Sequence, residues 1–254
     1  KSLSAVKQRG RLKLNTQLAL IANPVAGGGK WKTYKEEILS HLNSQFRVTI
    51  YETTPELNAT WQAHQAIKAG NEILIACGGD GTVTEVATVT REHQKVLGII
   101  PLGTANALSQ IVYGLRSKLA PITRACEVIC EQQYTPVDTA ECNGKLMLLV
   151  SAIGFESQMI EHADREEKNN GGQMAYLEGL WKAMNTSNPQ KLQVTVDDES
   201  FELDTPSFVI ANAAPLSTAL AQGGDLPDMT DGELDITWLT PTEDDMPLFT
   251  VAEL

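Results

Sequence analysis

Short apolar runs alternate with amphipathic segments through the first half of the chain. Each strand-like run ends at a turn or at glycine, and helical spacing of apolar residues begins soon afterwards. The predicted strands are Leu18–Ala22, Phe46–Tyr51, Glu72–Cys77 and Val96–Ile100. The predicted helices are Trp31–Leu42, Ala59–Ala69 (closing at Gly70) and Thr82–Thr90. This order predicts an α/β domain with a parallel sheet that helices cover on both faces.

The pattern changes after about residue 131. Strand-like segments now follow one another, with Asn143-Gly144, Asp197-Asp198 and Asp231-Gly232 as turn signals. The predicted strands are Val137–Glu141, Leu146–Ile153, Leu192–Val196, Phe208–Ala211 and Leu234–Leu239, with one helical stretch at Met174–Met184. We therefore predict a basic arm at 1–17, an α/β domain at 18–131 and a mainly-β domain at 132–254.

Composition narrows the classes of partner. The 254 residues carry a formal net charge of −12, which argues against nucleic-acid binding because phosphate contacts require clustered Lys and Arg. It also argues against attraction of the whole molecule to an anionic membrane. Residues 1–17 differ, since they hold five basic residues and no acid: Lys1, Lys7, Arg9, Arg11 and Lys13. We predict a poorly ordered arm, either a solvated tail or a local contact with anionic lipid.

Cysteine and histidine usage predicts a reduced, cytoplasmic protein. The four cysteines form no CxxC pair and the four histidines no apparent ligand cluster, so we predict no zinc site. The nearly apolar run Leu146–Phe155 is too short to span a bilayer and is predicted to be one buried strand. No secretory signal opens the chain, and the lack of an initiator Met is compatible with a fragment.

Three glycine-containing loops follow predicted strands. The first, residues 23–30 (NPVAGGGK), suits an anion-binding turn but is neither a Walker A loop nor GxGxxG, and an ordinary strand-to-helix turn remains an alternative. The second is residues 78–82 (GGDGT), where Asp80 is either a helix N-cap or an acid left accessible by its flanking glycines. The third is residues 101–106 (PLGTAN). Loops after parallel strands meet at one sheet edge, which favours a shared ligand site.

These motifs resemble a known family. Asn23-Pro24, GGDGT at 78–82 and LGIIPLGTAN at 97–106 are similar to the ATP-binding domain of diacylglycerol kinase-like and sphingosine kinase-like lipid kinases. Lys168, Gly172 and Ala175-Tyr176, and later Asp228 with residues 231–235 (DGELD), resemble signatures of the family's β-sandwich lipid-binding domain. The resemblance implies an ATP-dependent kinase acting on a hydroxyl of diacylglycerol or a similar lipid. It also implies that the lipid substrate is met at a membrane surface. Peripheral contact with the inner membrane face and a homodimer are further possibilities that it leaves open.

The resemblance also implies roles for particular residues. Asp80 would be the catalytic acid, accepting the substrate hydroxyl proton, orienting Mg²⁺ or both. The implied ATP-binding positions are Asn23, Thr53, Gly78, Gly79, Asp80, Gly81, Thr82, Val83, Thr84, Gly103, Thr104 and Asn106. Lys30 and Lys32 are the nearest basic candidates for phosphate. In the second domain Asp228, Asp231 and Glu233 match a structural Mg²⁺ site, for which a plain Asp-Gly turn is the alternative.

Two departures from the family pattern bear on the substrate. Ala107 follows Asn106 where many diacylglycerol kinase-like members have an acid, and this is closer to the sphingosine kinase loop. The acid with which sphingosine kinases hold the amine is not clearly matched, because Ile160 falls near its place and Glu161 only beside it.

The family's later Asp-Gly-Glu, whose Glu is assigned to catalysis, has no counterpart before Leu254. Alternatives are an NAD kinase-like enzyme, whose next signature residues 101–108 do not fit, and a nucleotide- or lipid-binding module without catalysis.

Overall fold

The computed structural model describes residues 10–11, 16–114, 120–154, 189–214, 227–240 and 248–253. The chain divides into two compact units, residues 1–136 and 137–254. Residues 10–11 of the basic arm form β1 (Gly10–Arg11), which pairs antiparallel with β6 (Gln133–Tyr134). The rest of the arm that precedes Thr16, like the predicted helix Met174–Met184, lies outside the described residues.

The first unit contains a four-stranded parallel sheet of β2 (Gln17–Ala22), β3 (Arg47–Glu52), β4 (Ile73–Gly78) and β5 (Val96–Pro101). The strands lie in the order β3-β2-β4-β5 and every pair in this sheet is parallel. The α-helices described with them are α1 (Lys30–Leu42), α2 (Ala59–Lys68), α3 (Asp80–Glu92), α4 (Ala107–Tyr113) and α5 (Pro121–Cys130). The predicted parallel α/β sheet is confirmed.

Apart from exposed Gln17 at the start of β2, the residues of the two central strands are buried and almost entirely apolar, and both faces of these strands are covered. Alternate side chains of β2 and β4, including Leu20 and Ile75, join a core with Trp31 and Ile38 of α1 and Ile122 of α5. The intervening side chains point to the opposite face, where α2 and α3 pack. Near-continuous burial along a strand is expected when helices cover both faces of a parallel sheet.

Helix boundaries depend on local capping. Asn58 caps α2 by accepting a hydrogen bond of 2.9 Å from the backbone N–H of Trp61. Gly70 follows α2 with φ +85, as predicted for a residue that ends a helix. The structure begins α3 at Asp80, two residues before the predicted start, and adds α4 and α5, which the apolar pattern did not predict.

The second unit is built from antiparallel strands, as predicted. A four-stranded sheet has the order β14-β13-β12-β9, from β14 (Leu248–Glu253), β13 (Asp235–Thr240), β12 (Ser207–Ala211) and β9 (Val150–Gly154). Two hairpins accompany it: β7 (Ala140–Cys142) with β8 (Lys145–Met147), and β10 (Gln190–Val196) with β11 (Glu199–Thr205). Strands β11 and β14 were not predicted.

The hairpin predicted from Asn143-Gly144 is confirmed, whereas the prediction that the apolar run after it forms one long strand is wrong. Asn143 and Gly144 have φ +51 and +75 and join β7 to β8, so both central residues of the turn are left-handed. The apolar run that follows is divided between β8 and β9, because Leu148 and Leu149 lie between the two strands. Among the described residues, no helix is long and apolar enough to cross a membrane.

Candidate functional site

Three loops meet at the carboxyl edge of the parallel sheet. They follow β2, β4 and β5, and the backbone joins them directly. The N–H of Asn23 donates to the Cys77 carbonyl at 2.9 Å, and the N–H groups of Leu102 and Gly103 both donate to the Gly78 carbonyl, at 2.8 and 3.2 Å. The loops predicted to converge therefore do so, and they form one hydrogen-bonded unit.

Glycine is required where these loops touch. Gly27 has φ +57, and a Cβ added there would collide with the carbonyl oxygen of Leu102. A Cβ on Gly103 would collide with the Cα of Gly79. By contrast, a Cβ on Gly28 or Gly81 would meet nothing within 4 Å. Some of the glycines thus permit close backbone packing, while others border open space that a ligand can enter.

Side-chain hydrogen bonds fix the loops further. Asn23 Nδ2 donates to Thr82 Oγ1 at 3.3 Å, while its Oδ1 accepts from the N–H of Val25 at 3.2 Å. The Gly103 carbonyl accepts two donors, Lys30 Nζ at 3.3 Å and Asn106 Nδ2 at 2.8 Å. Lys30 therefore spans from the first residue of α1 to the third loop.

Asp80 is the first residue of α3 and is half-buried. Gly79 occupies the N-cap position and no side chain caps the helix, so the alternative in which Asp80 is the N-cap is wrong. The first helical hydrogen bond runs from Val83 N–H to the Gly79 carbonyl at 3.0 Å, so the helix provides no acceptor for the N–H groups of its first turn. No hydrogen bond or ion pair joins the Asp80 carboxylate to another described residue. Within the described part of the chain, the Asp80 carboxylate at the sheet edge thus takes part in no structural contact.

The other predicted ATP-binding residues differ in what they can offer. Thr104 is exposed, and Thr53, whose N–H donates to the Ala22 carbonyl at 2.9 Å, is half-buried. The Thr84 hydroxyl is already used, because it donates to the Asp80 carbonyl at 3.0 Å. Val83 is 4% exposed and packs inwards, and Thr82 is buried against the first loop. Thr82 thus links the second loop to the first, and Val83 is buried, so neither side chain is presented to a ligand.

Two residues that sequence reasoning missed support this edge. Glu52, the last residue of β3, accepts hydrogen bonds from Trp31 Nε1 at 2.9 Å and Lys35 Nζ at 3.0 Å, and its carbonyl accepts from Gln62 Nε2 at 2.6 Å. The Trp31 hydrogen bond, followed by that from Lys35, lowers the pKa of Glu52. The sequence signal that could have indicated this role of Glu52 is the position of an acid at the end of a predicted strand, directly before Thr53.

Tyr113 is the second. Its hydroxyl donates to the Ile99 carbonyl at 2.6 Å and accepts from the Ile99 N–H at 3.3 Å, which fastens α4 to β5. Burial raises the pKa of Tyr113 well above its ordinary value, so the hydroxyl stays protonated. Nothing in the sequence marks this tyrosine as a partner of β5, because the pairing is decided by where α4 packs.

In the second unit, the predicted acidic residues form a hydrogen-bonded turn. Asp228 Oδ1 accepts from the N–H of Thr230 at 2.9 Å, and Asp231 Oδ1 accepts from the N–H of Glu233 at 2.9 Å. Asp138, 94 positions from Gly232, accepts from the Gly232 N–H at 2.8 Å. Three carboxylates are engaged by backbone N–H groups here, and the Mg²⁺ site predicted at Asp228, Asp231 and Glu233 stays a prediction.

The prediction that the histidines form no ligand cluster is wrong. Within the part of the chain that the structure describes, one trio of metal-ligating side chains has ligand atoms that all lie within 4.8 Å of one another: His64, Glu92 and His93. His64 lies on α2, and the other two at the end of α3. Glu92 and His64 are 28 residues apart in the sequence, so the sequence pattern does not indicate this cluster. Only the packing of α2 on α3 brings the three side chains together.

The cysteines are free thiols. Burial raises the pKa of Cys77 well above its ordinary value and that of Cys126 to about 12, so neither forms a thiolate at neutral pH. Cys77 and Cys126 are core residues.

Comparison with known proteins agrees with this fold. Residues 17–142 match the family of the diacylglycerol kinase catalytic domain, a segment that contains all three loops. Kinases of this family use ATP. Through this segment the chain belongs to the diacylglycerol kinase catalytic domain family.

Relatives extend the similarity beyond that segment. An uncharacterized protein of Synechocystis sp. is 40% identical over 232 residues, which cover 86% of this chain and 52% of that protein. The diacylglycerol kinase of Staphylococcus haemolyticus is 27% identical over 194 residues, 75% of this chain and 58% of the relative. The crystal structure of a Bacillus anthracis diacylglycerol kinase has a TM-score of 0.68 at 26% identity, over 90% of this chain and 74% of that one. The chain thus spans little more than half the length of these curated relatives.

Proposed function

We propose that this chain is the core of an ATP-dependent lipid kinase that transfers the γ-phosphate of ATP to a hydroxyl of diacylglycerol or a similar lipid. The observation that carries the proposal is Asp80, a half-buried carboxylate with no partner among the described residues, at the edge where three glycine loops of a diacylglycerol kinase catalytic domain meet. The substrate and the site residues rest on this family membership together with the local geometry.

The loops fit a nucleotide polyphosphate. Gly28 and Gly81 border open space, so a phosphate can approach their backbone closely. The first-turn N–H groups of α3 have no helical acceptor and lie at the positive end of the helix dipole, which favours an anion. We assign the phosphates to this loop surface and place Thr104, which is exposed on the third loop, against the nucleotide.

Asp80 has the chemistry for the transfer step. In the proposed reaction the lipid hydroxyl oxygen forms a bond to the γ-phosphorus, the bond from that phosphorus to the ADP oxygen breaks, and the hydroxyl proton passes to the Asp80 carboxylate. Phosphoryl transfer depends mainly on positioning and on neutralising phosphate charge. Mg²⁺, which carboxylate oxygens bind well, would supply such neutralisation when bound, and the Asp80 carboxylate would be a ligand for it.

The direct test is phosphate transfer from γ-labelled ATP by the full-length protein, in mixed micelles, to diacylglycerol, monoacylglycerol, phosphatidylglycerol and sphingoid bases, with NAD as a further acceptor. Label in one of the lipids that depends on protein and Mg²⁺ supports the proposal. Label in NAD alone would identify an NAD kinase-like enzyme, and nucleotide binding without transfer to any acceptor would identify a binding module; either result contradicts the proposal.

Nucleotide binding is tested separately by thermal melting. A ligand that binds only the folded state raises the melting temperature increasingly as its concentration exceeds the dissociation constant. We expect such a rise with ATP or ADP and Mg²⁺. No rise at millimolar concentration, in a folded sample, contradicts the assignment of the glycine loops. Peripheral contact with the inner membrane face and a cytoplasmic location belong to the same proposal, since the substrate is a membrane lipid; a homodimer stays a prediction.

A further inference from the structure

His64, Glu92 and His93 form a cluster at the opposite end of α3 from Asp80. Glu92 is the last residue of α3 and His93 is its C-cap, whereas His64 lies on α2. The imidazole rings of His64 and His93 meet edge to face, with centroids 5.6 Å apart and an interplanar angle of 83°. One ligand atom from each of the three side chains lies within 4.8 Å of the other two.

The three side chains are available for another partner. None of them makes a hydrogen bond or ion pair with another described residue, apart from the ring contact between the histidines. Glu92 and His93 are exposed and His64 is half-buried, so Glu92 and His93 can rotate with little loss of packing. Because α2 packs along α3, the backbone already holds the ligands near one another before any ion arrives.

We propose that this cluster is a binding site for a divalent transition-metal ion, Zn²⁺ in the first instance, that clips α2 to α3. Two imidazole nitrogens and one carboxylate oxygen are a ligand set that Zn²⁺ takes with a fourth, open position for water. Zn²⁺ bonds of about 2.0–2.2 Å place tetrahedral ligand atoms roughly 3.4 Å apart, so modest side-chain rotation brings this cluster into range. Hard cations such as Mg²⁺ prefer all-oxygen ligands and are not expected here.

The local electrostatics favour a cation. The C-terminal end of a helix carries partial negative charge on its last carbonyl groups, and His93 stands at that end of α3. Glu92 adds a full negative charge, and the chain as a whole is acidic, with a net charge of −12.

The site is separate from the kinase machinery. The twelve residue steps from Asp80 to Glu92 along α3 correspond to about 18 Å at 1.5 Å per residue. A metal at this place therefore does not belong to the nucleotide site. Its effect is on the stability of the α2–α3 pair, since an ion bound only to the folded state stabilises that state by mass action.

The test is Zn²⁺ titration of the metal-stripped full-length protein by calorimetry, alongside the same titration of His64→Gln, Glu92→Gln and His93→Gln. The matched control is His41→Gln, a histidine of the same unit on α1. We expect one tight site in the wild type and in the control, and affinity lowered at least about 10-fold in each cluster variant. A Co²⁺ spectrum free of thiolate charge-transfer bands separates this site from cysteine ligation.

Diffraction at the zinc edge locates the ion directly and does not depend on how well the variants fold. An anomalous peak between His64, Glu92 and His93 supports the proposal. Absence of stoichiometric binding, an unchanged affinity in folded His64→Gln and His93→Gln, or an equal loss in His41→Gln overturns it. None of these outcomes depends on lipid kinase activity.

Discussion

Asn23 Nδ2 donates a hydrogen bond of 3.3 Å to the hydroxyl oxygen of Thr82, and it thereby joins the loop after β2 to the first turn of α3. The same Asn23 side chain orders its own loop by accepting from the N–H of Val25. The amide of Asn23 thus adds a side-chain link between two of the three loops, which the backbone also joins. The geometry of the proposed nucleotide site depends on residues that need not touch the nucleotide.

Removal of this link should lower both stability and nucleotide binding. We expect Asn23→Ala to reduce the free energy of unfolding by about 0.5–1.5 kcal/mol for each net hydrogen bond lost, as measured by urea denaturation. Asn43→Ala, in an exposed position at the end of α1, is the control and should be nearly neutral. A double-mutant cycle with Thr82→Val isolates the pair, and a coupling energy near zero would show that the bond contributes nothing.

The two kinds of glycine should respond oppositely to alanine. Gly103→Ala places a Cβ against the Gly79 Cα, and we expect a loss of about 1–3 kcal/mol in unfolding free energy. Gly81→Ala meets open space inside a helix, so stability should be unchanged or raised by up to about 1 kcal/mol. Urea melts measure both.

The rise in melting temperature that ATP produces distinguishes an effect of Gly81 on nucleotide binding from an effect on stability. If phosphate lies against the backbone there, Gly81→Ala should diminish the rise in melting temperature that ATP produces, although the ligand-free protein is as stable as before. An undiminished rise would place the nucleotide elsewhere.

Asp80→Asn should abolish most turnover without unfolding the protein. The change keeps the size of the side chain and removes the carboxylate, and loss of a positioned base costs about 10²–10⁴-fold in rate. The melting temperature should change little, because the Asp80 carboxylate has no hydrogen-bond or ion-pair partner among the described residues, and the Asp80 carbonyl that accepts from Thr84 is kept. Asp198→Asn, in the turn between β10 and β11, is the control. Turnover within a few-fold of wild type would exclude Asp80 from the chemistry.

Glu52 should make stability depend on pH. Its folded-state pKa is lowered from the ordinary 4.5 by the Trp31 and Lys35 hydrogen bonds. A depressed carboxyl pKa stabilises the fold above the unfolded value, and this stabilisation is lost as the pH falls through the folded-state value. Glu52→Gln keeps an acceptor for Trp31 but removes the charge.

At pH 7 we therefore expect Glu52→Gln to lower the unfolding free energy by about 0.2–1 kcal/mol, a small effect because the side chain is 44% exposed. The difference from wild type should shrink as the pH falls below 4.5 and disappear only once the pH is below the lowered folded-state pKa of Glu52. Glu36→Gln, exposed on α1, is the control. A difference that persists unchanged into acid would mean that the charge is not its cause.

The sequence by itself determined the parallel sheet and the identity of its loops. Leu18–Ala22 is apolar without alternation and Glu72–Cys77 is mostly so, which is typical of strands covered on both faces, and GGDGT follows the second of them directly. Asn143-Gly144 likewise determined its hairpin, because few residues other than Asn and Gly adopt two left-handed conformations in succession. These features are local, so they can be read along the chain.

The tertiary structure decided which groups of the site remain available. The sequence could not show that the Thr84 hydroxyl donates to the Asp80 carbonyl. It also could not show that Gly79, and not Asp80, occupies the N-cap position of α3. Nor could it bring Glu52 to Trp31, Asp138 to Gly232 or His64 to His93, since each pair is brought together by the packing of elements distant in sequence. Contacts of this kind depend on how helices and strands are arranged in space, and that arrangement is a property of the whole core rather than of any one segment.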